Sequence, residues 1–254
     1  MKLETFEVGS GAAAAPLVWL HGFPDHPPTA ADLFAQLDRR VIAPWLRGYA
    51  PSPLAGPYDV ETHTHDVIEL IDRIGGPVDL VGHDWGAIIT YTICMIAPDR
   101  VRRAATLACP HPRTFMRMLR GAQLRRSWYM AFFQLPFAAR IAAARDFALI
   151  DRLWRTWSPG LALDDERRRA LHACLAASWP APIRYYRPQK FRGDRIETPL
   201  LQLHGADDGC IATPTAADAH RFGERVLEVV PSVGHFLHIE DPTGIAARIR
   251  TWLA

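Results

Sequence analysis

The sequence Val81-Gly82-His83-Asp84-Trp85-Gly86 decides the fold that we predict for this chain. A short apolar run at 78–81 precedes it and is typical of a buried strand, and an apolar segment of helix length at 87–93 follows it. A strand, a tight turn and a helix in this order form a nucleophile elbow, which presents a reactive side chain at the turn. Gly82 and Gly86 flank position 84, because a Cβ at either place would crowd the neighbouring backbone.

The side chain presented at this turn is Asp84, where such an elbow usually carries a serine. A carboxylate that attacks a carbonyl carbon forms a mixed anhydride, which is uphill in free energy, whereas attack at a saturated carbon forms an alkyl ester. We therefore expect substrates with a leaving group on an sp3 carbon, such as epoxides or alkyl halides. The positive potential at the start of the following helix favours the ionised carboxylate. The alternative is that Asp84 only caps that helix.

Length and composition favour one large α/β domain, or such a domain with an insertion. Hydrophobic residues make up 49% of the 254 residues, and the formal net charge of +2 gives no global field that would attract nucleic acid. The four cysteines form no C-x-x-C pair and are typical of a reducing compartment. No signal peptide is apparent, and no segment approaches the roughly 20 apolar residues of a membrane span. We predict a cytoplasmic protein that binds a mostly apolar small molecule, with no metal, cofactor, nucleic acid or membrane span.

Strands and helices alternate in the first and last parts of the chain, which predicts a mostly parallel sheet covered by helices on both faces. The predicted strands are at 3–8, 17–20, 41–44, 78–82, 104–108, 199–203 and 225–230. The predicted helices are at 30–37, 59–74 and 243–253, and residues 12–15 form a turn-like run before Pro16.

Residues 112–190 show no strand pattern and are rich in Trp, Phe, Arg and Ala. We predict that they form a helical cap inserted into a core domain made of residues 1–111 and 191–254. This segment holds 15 Lys+Arg and 5 Asp+Glu, so it is basic while the rest of the chain is acidic. A basic cap could dock on the acidic body, attract anionic substrates or touch a membrane surface, or its arginines could simply form a solvated surface.

A nucleophile of this kind needs a base, and the base needs an acid that orients it. Asp207 and Asp208 follow a predicted strand late in the chain, and His235 follows the last predicted strand. The order nucleophile, acid, histidine is the order found in α/β-hydrolases.

An early loop, His21-Gly22-Phe23-Pro24, follows a predicted strand at the place where that fold puts its oxyanion loop. The backbone N–H groups of Phe23 and Trp85 would then form the oxyanion hole.

The sequence resembles the α/β-hydrolase superfamily and, within it, the epoxide hydrolase branch. The motifs that carry this resemblance are HGFPD at 21–25, APxxRGY at 43–49, GHDWG at 82–86, PHP at 110–112, YYR at 185–187, HGADDG at 204–209 and GHFLHIEDP at 234–242. The resemblance implies an α/β-hydrolase fold with an inserted helical cap. It also implies a covalent alkyl-enzyme ester on Asp84, its hydrolysis by water that His235 activates, and release of a vicinal diol.

The resemblance also selects among neighbouring candidates. The family pattern H-G-x-x-D ends at Asp208, which leaves Asp207 as a solvated or capping neighbour. His235 follows a glycine as in the family and is favoured over His238 as the base.

The family uses two cap tyrosines to donate to the epoxide oxygen. Tyr186, in a Tyr-Arg pair, matches one of them, whereas Phe132 stands where the other is expected, just before a Phe-Gln-Leu-Pro motif. Tyr129 lies about one helical turn earlier and could reach the same space. Alternatively Tyr129 and Tyr186 only pack within the cap, with Tyr185 equally available. The candidate substrate-binding residues are Tyr129, Phe132, Trp85 and Phe23.

The main enzymatic alternative is a haloalkane or haloacid dehalogenase. Haloalkane dehalogenases share the aspartate and the tryptophan after it, here Trp85, but usually carry an asparagine where this chain has Phe23. Another hydrolase and a non-catalytic ligand-binding protein of the same fold are further alternatives, although such binding proteins typically lose a triad member and none is lost here. We therefore predict an epoxide hydrolase.

Overall fold

A single seven-stranded sheet forms the centre of the protein, and the computed structural model describes residues 1–10, 15–191 and 193–254. The strand order is β1-β3-β2-β4-β5-β6-β7, with β1 antiparallel to β3 and all other neighbours parallel. The strands are β1 (Thr5–Val8), β2 (Leu17–Leu20), β3 (Val41–Pro44), β4 (Val78–His83), β5 (Val101–Leu107), β6 (Leu200–Gly205) and β7 (Arg225–Val230). The predicted α/β fold with a mostly parallel sheet is confirmed.

Ten α-helices surround this sheet in the described part of the chain. They are α1 (Ala31–Phe34), α2 (Val60–Ile74), α3 (Trp85–Ile96), α4 (Pro112–Met118), α5 (Gly121–Arg126), α6 (Trp128–Phe132), α7 (Ala138–Trp157), α8 (Asp165–Ser178), α9 (Leu237–Glu240) and α10 (Pro242–Leu253). The helix predicted at 30–37 is shorter than expected, and the turn predicted at 12–15 lies mostly outside the described residues.

Apolar side chains pack on both faces of the sheet, which explains why its central strand is buried along its whole length. All six residues of β4 are buried. One face packs against α2 and α3 through residues such as Val67 and Tyr91, and the other packs against α1 and α10 through residues such as Phe34 and Ile249. The sheet therefore fixes the carboxyl ends of its strands rigidly, and ligands of open α/β sheets bind at such ends.

Local sequence signals determine where α2 begins and ends. The carboxylate of Asp59 accepts a hydrogen bond of 2.8 Å from the backbone N–H of Thr62, which is the usual capping arrangement at a helix start. Gly75 ends the helix in the left-handed conformation, with φ of 94°.

The segment 112–190, which we call the helical segment, contributes no strand among its residues, all of which the structure describes. It leaves the sheet after β5 and returns before β6, and these two strands are parallel neighbours. The segment is therefore inserted between two adjacent strands of the sheet. Within the described residues, no helix combines the length and the apolar character needed to cross a lipid bilayer.

Candidate active site

The turn between β4 and α3 holds Asp84 in an unusual backbone conformation, with φ of 52° and ψ of −114°. A Cβ built on Gly82 would lie 2.3 Å from the carbonyl oxygen of Gly86, and one built on Gly86 would lie 2.1 Å from that of Leu20. Only glycine fits at both places. Backbone angles of this kind raise the free energy of the folded protein by about 1–3 kcal/mol. Such strain persists where the surrounding structure holds the turn in place.

The carboxylate of Asp84 makes no capping hydrogen bond with α3, so the capping interpretation does not hold. Its Oδ1 accepts a hydrogen bond of 2.9 Å from the backbone N–H of Phe23, and its Oδ2 lies 3.6 Å from Nε2 of His235. The predicted oxyanion donor at Phe23 therefore already contacts one carboxylate oxygen. The other oxygen remains available to attack a substrate.

The structure brings together the three residues of the predicted triad. His235, which is fully buried, contacts Oδ2 of Asp208 through Nδ1 at 2.9 Å. Oδ1 of Asp208 accepts hydrogen bonds from the backbone N–H groups of Cys210 at 2.7 Å and Ile211 at 2.8 Å. Because these bonds fix the carboxylate, it orients the imidazole with Nε2 toward Asp84. Asp207, by contrast, is exposed.

Two carboxylates control the protonation of His235. Burial alone would lower the pKa of this imidazole, but the charge and hydrogen bond of Asp208, followed by those of Asp84, raise it to about 10. The resting site therefore holds an imidazolium at neutral pH. An ester on Asp84 carries no charge, so its formation removes part of this effect and lowers the pKa of His235.

Two tyrosines of the helical segment lie above Asp84. The hydroxyl of Tyr186 is buried and has no hydrogen-bond partner among the described residues, while that of Tyr129 lies 3.3 Å from Sγ of Cys210. The two rings meet edge to face, with centroids 5.3 Å apart. Burial, and then the charge of Asp84, raises the pKa of Tyr186 well above its ordinary value. Its hydroxyl is therefore protonated and can donate a hydrogen bond.

The neighbouring Tyr185 is not an equivalent candidate. Its hydroxyl donates to the carbonyl oxygen of Arg47, and its ring packs against Tyr49 and His63. Consecutive tyrosines therefore have different environments, and only Tyr186 lies at the cavity.

A cavity of about 320 Å³ opens above Asp84 and is lined mostly by apolar side chains. Its lining includes Asp84, Trp85, Ile88, Cys109, Phe115, Met116, Leu119, Tyr129, Met130, Tyr186, Arg187, Gln189 and Ile211. This volume lies at the lower end of the range for small-molecule sites, and the apolar lining suits an apolar substrate.

Two of the four predicted substrate-binding side chains are not among the residues that line this cavity. Trp85 and Tyr129 line the cavity, but the ring of Phe132 packs against Trp128 and Phe133, outside the set of lining residues. The ring of Phe23 is also outside that set. It packs edge to face on Tyr186 and on Phe133, with centroids 5.3 and 5.5 Å apart.

The physical reason is that Tyr129 in α6 and Phe133 directly after it, four positions apart, are both buried, whereas Phe132 is half-buried. Phe133 therefore packs on the ring of Tyr186, a contact that the sequence reasoning missed.

A second buried group adjoins the predicted triad through the contact of His83 with His235. Asp25 accepts a hydrogen bond of 3.1 Å from Nε2 of His238, and Nε2 of His83 donates to the carbonyl oxygen of His235 at 2.9 Å. Burial would raise the pKa of Asp25, but His238 holds it below its ordinary value. The nearest ligating atoms of Asp25, His83 and His238 lie within 4.8 Å, a spacing that a metal ion could bridge, but hydrogen bonds account for the Asp25–His238 contact. His238 thus faces Asp25 and not the cavity.

The last turn of α7 fixes three loops that carry or adjoin the predicted site residues. The carbonyl oxygen of Trp157 accepts hydrogen bonds of 3.0 Å from the backbone N–H groups of both Gly209 and His235. The indole N–H of Trp154 donates to the carbonyl oxygen of Pro24 at 2.9 Å. One helix end therefore holds the acid loop, the histidine loop and the oxyanion loop at fixed distances.

We expect Asp208→Asn to slow the hydrolysis step by roughly a thousandfold or more, because the buried carboxylate orients and stabilises the His235 imidazolium. The same change should lower the pKa of His235, since Asp208 is the largest positive contribution to it. Single-turnover kinetics over a range of pH would measure both effects. The matched control is Asp207→Asn, which removes an exposed charge one residue away. An equal loss of rate in both variants would contradict the assignment of Asp208 as the acid that orients His235.

Comparison with known proteins places this chain among hydrolases. The model of a family described as Alpha/beta hydrolase family matches residues 17–248. The chain is 27% identical to epoxide hydrolase 4 of Homo sapiens, over 97% of this chain and 74% of that protein. It is also 27% identical to epoxide hydrolase 3 of Xenopus tropicalis, over 97% and 73%. The crystal structure of Bacillus megaterium epoxide hydrolase in complex with an inhibitor is similar in fold, with a TM-score of 0.89 at 22% identity over 99% of this chain and 96% of that one.

Proposed function

The chain belongs to the alpha/beta hydrolase family, and we propose that it is an epoxide hydrolase in which Asp84 is the nucleophile. The observation that carries this proposal is the buried hydroxyl of Tyr186, without a partner among the described residues, at the cavity that Asp84 also lines. An epoxide oxygen needs such a donor when its bond to carbon breaks. The similarity to proteins named epoxide hydrolases supports the same reaction. In this proposal residues 112–190 are the cap, and residues 1–111 and 191–254 are the core domain.

In the first step, Oδ2 of Asp84 attacks one carbon of the epoxide and forms an ester bond. The bond between that carbon and the epoxide oxygen breaks, and the oxygen keeps its electron pair and takes a proton from the Tyr186 hydroxyl. The new ester is uncharged, so the pKa of His235 falls from its raised value. The imidazolium then gives up its proton, which restores the phenol of Tyr186 and leaves a neutral base.

In the second step, neutral His235 takes a proton from water, and the water oxygen attacks the carboxyl carbon of the Asp84 ester. Negative charge develops on Oδ1, where the backbone N–H of Phe23 donates a hydrogen bond. Collapse of this intermediate restores the Asp84 carboxylate and releases the diol, whose second hydroxyl takes the other proton of the water. His235 ends as an imidazolium beside two carboxylates, which is the resting state.

A panel of five substrates tests this proposal. We expect diol from styrene oxide and from an aliphatic epoxide, with little halide from 1-bromobutane or fluoroacetate and little nitrophenol from p-nitrophenyl acetate. The control is Asp84→Ala, which should abolish diol formation. Halide release in place of diol would favour a dehalogenase, nitrophenol release would favour another hydrolase, and no turnover of any substrate would favour a ligand-binding protein.

A further inference from the structure

The outer surface of α4, α5 and α6 combines exposed apolar side chains with arginines. Met116, Leu124 and Trp128 are 54%, 58% and 43% exposed, although side chains of this size are usually buried. Of the eleven large hydrophobic residues that are exposed in the described chain, six fall between residues 116 and 141. Three of these six lie on α4, α5 and α6, and the other three, Leu135, Phe137 and Ile141, follow α6 in the chain. Scattered single residues would need no explanation, but such a concentration does.

The charges carried by α4, α5 and α6 are of one sign only, and Asp218, which lines an adjoining depression, is buried and paired with Arg225. From residue 100 to residue 145 the sequence contains no Asp or Glu, and residues 112–145 contain seven arginines. Arg117, Arg120 and Arg125 are exposed, and none of them forms an ion pair with a carboxylate in the described residues. Their charges are therefore directed at solvent and are not neutralised within the molecule.

These side chains form one continuous surface. Arg117, Arg120 and Ala122 border one shallow depression, and Ala122, Arg125 and Trp128 border the next. We call the surface made by Met116, Arg117, Arg120, Leu124, Arg125 and Trp128 the α4–α6 face.

Met116 connects this face to the proposed active site, because it is both exposed and part of the cavity lining, together with Phe115 and Leu119. The α4–α6 face therefore adjoins the cavity.

Buried contacts hold α5 in this orientation. The side chain of Gln123 donates to the carbonyl oxygen of Cys210 at 2.9 Å and accepts from the backbone N–H of Ala212 at 2.8 Å. Because Gln123 is buried against the body, the opposite side of the helix, with Leu124 and Arg125, is turned to solvent. The exposure of the apolar side chains is thus a fixed property of the folded protein.

We propose that the α4–α6 face docks on the surface of an anionic lipid bilayer. Apolar side chains with a tryptophan among them enter the boundary between headgroups and acyl chains, and arginines near an anionic surface contribute about 1 kcal/mol each. Trp128 has the amphipathic ring that is enriched at such boundaries. With Met116 at the contact, the cavity opens next to the lipid, so an apolar substrate dissolved in the bilayer has a short path to Asp84.

The composition of the face favours lipid over the other anionic partners. A site for nucleic acid is built mainly from side chains that contact phosphates and from rings that stack on bases. Met116 and Leu124 of the α4–α6 face can make neither kind of contact. A second copy of this chain, whose body is acidic, is the other occupant that charge would allow.

Binding to vesicles tests the proposal without any substrate, so its outcome is separate from the proposed enzymatic activity. The full chain is sedimented with phosphatidylcholine vesicles, with and without phosphatidylserine, at low and high salt. We expect binding only to vesicles with phosphatidylserine, weakened by salt. Replacing Arg117, Arg120 and Arg125 together with Gln should weaken binding by roughly a hundredfold, from about 1 kcal/mol per charge. The double change Leu124→Ser and Trp128→Ser should weaken it independently of salt.

The matched control replaces Lys2, Arg73 and Arg169 with Gln, which removes the same charge from exposed positions that lie outside α4, α5 and α6 and border neither depression. It should bind as the parent chain does, and all variants should keep the parent circular dichroism and unfolding temperature. An equal loss of vesicle binding in the control variant would overturn the proposal. Binding of the parent chain to neutral vesicles as strongly as to anionic ones would also overturn it. Duplex DNA that competes with vesicles as strongly as anionic lipid would also overturn it. So would a concentration-dependent dimer, detected by light scattering, that only the face variants abolish.

Discussion

Replacing His235 with alanine is expected to trap the substrate on Asp84 as an alkyl ester. Oδ2 of Asp84 retains its position, since its partner oxygen is held by the N–H of Phe23 and the turn is fixed by backbone packing. The ester would form, but no base would remain to activate water. We expect turnover to fall by roughly three to four orders of magnitude. Intact-mass measurement after addition of epoxide would show one adduct, and peptide mapping would place it at Asp84.

The control for this experiment is His220→Ala, which removes an exposed histidine and should neither trap an adduct nor slow turnover. In the parent enzyme, many turnovers in water labelled with oxygen-18 should introduce the label into Asp84, because water attacks the carboxyl carbon. An active enzyme with no trapped adduct in His235→Ala and no label in Asp84 would disprove the covalent route.

Replacing Tyr186 with phenylalanine is expected to slow formation of the ester by roughly a hundredfold to a thousandfold. The substitution removes one hydroxyl and little volume, and loss of a single donor to a developing oxyanion has effects of this size. No hydrogen bond of ordinary length reaches the hydroxyl of Tyr186 in the described residues, although Trp85 and Tyr129 are near enough to interact with it, so the change disturbs little of the resting structure. Stopped-flow fluorescence of Trp85, which lines the same cavity, would report the rate of ester formation.

Two further tyrosines complete this test. Tyr129→Phe should cause a smaller loss, because its hydroxyl already lies 3.3 Å from Cys210 and has to turn toward the substrate. Tyr185→Phe is the matched control, since it removes a neighbouring phenol that does not line the cavity and should leave the rate of ester formation unchanged. If Tyr186→Phe also left this rate unchanged, Tyr186 would not be the proton donor that opening of an epoxide needs. Dehalogenase activity would then explain the site better.

The strands, the turn that carries Asp84 and the predicted triad could be predicted from the sequence, because each leaves a pattern within a short stretch of residues. Gly82 and Gly86 are required by backbone contacts of the turn, and apolar runs such as 17–20 are required by a strand buried on both faces. Parallel strands then bring their carboxyl ends to one edge, where Asp208 and His235 meet. The family pattern was needed to select these two residues over their neighbours Asp207 and His238.

The positions of cavity side chains could not be predicted in the same way. Phe132 and Phe133 are adjacent and chemically identical, and only packing of α6 against the rest of the protein decides which of them contacts Tyr186. Likewise, the bond between Asp25 and His238 joins residues 213 positions apart, and no local pattern indicates it. Side-chain direction within a short helix and contacts of long sequence separation are properties of the assembled structure.

The two hydrogen bonds that the carbonyl oxygen of Trp157 accepts limit how residues 112–190 can be exchanged by protein engineering. Lid exchange between related enzymes treats residues such as 112–190 as a removable module, grafted at the two points where the chain leaves the sheet. Here the module carries the acceptor that holds both Gly209 and His235, and the indole of Trp154 that holds Pro24. A chimera joined at those two points would replace the parts that align its own catalytic residues. A graft should therefore keep 153–158 from the recipient and exchange only the helices before and after them.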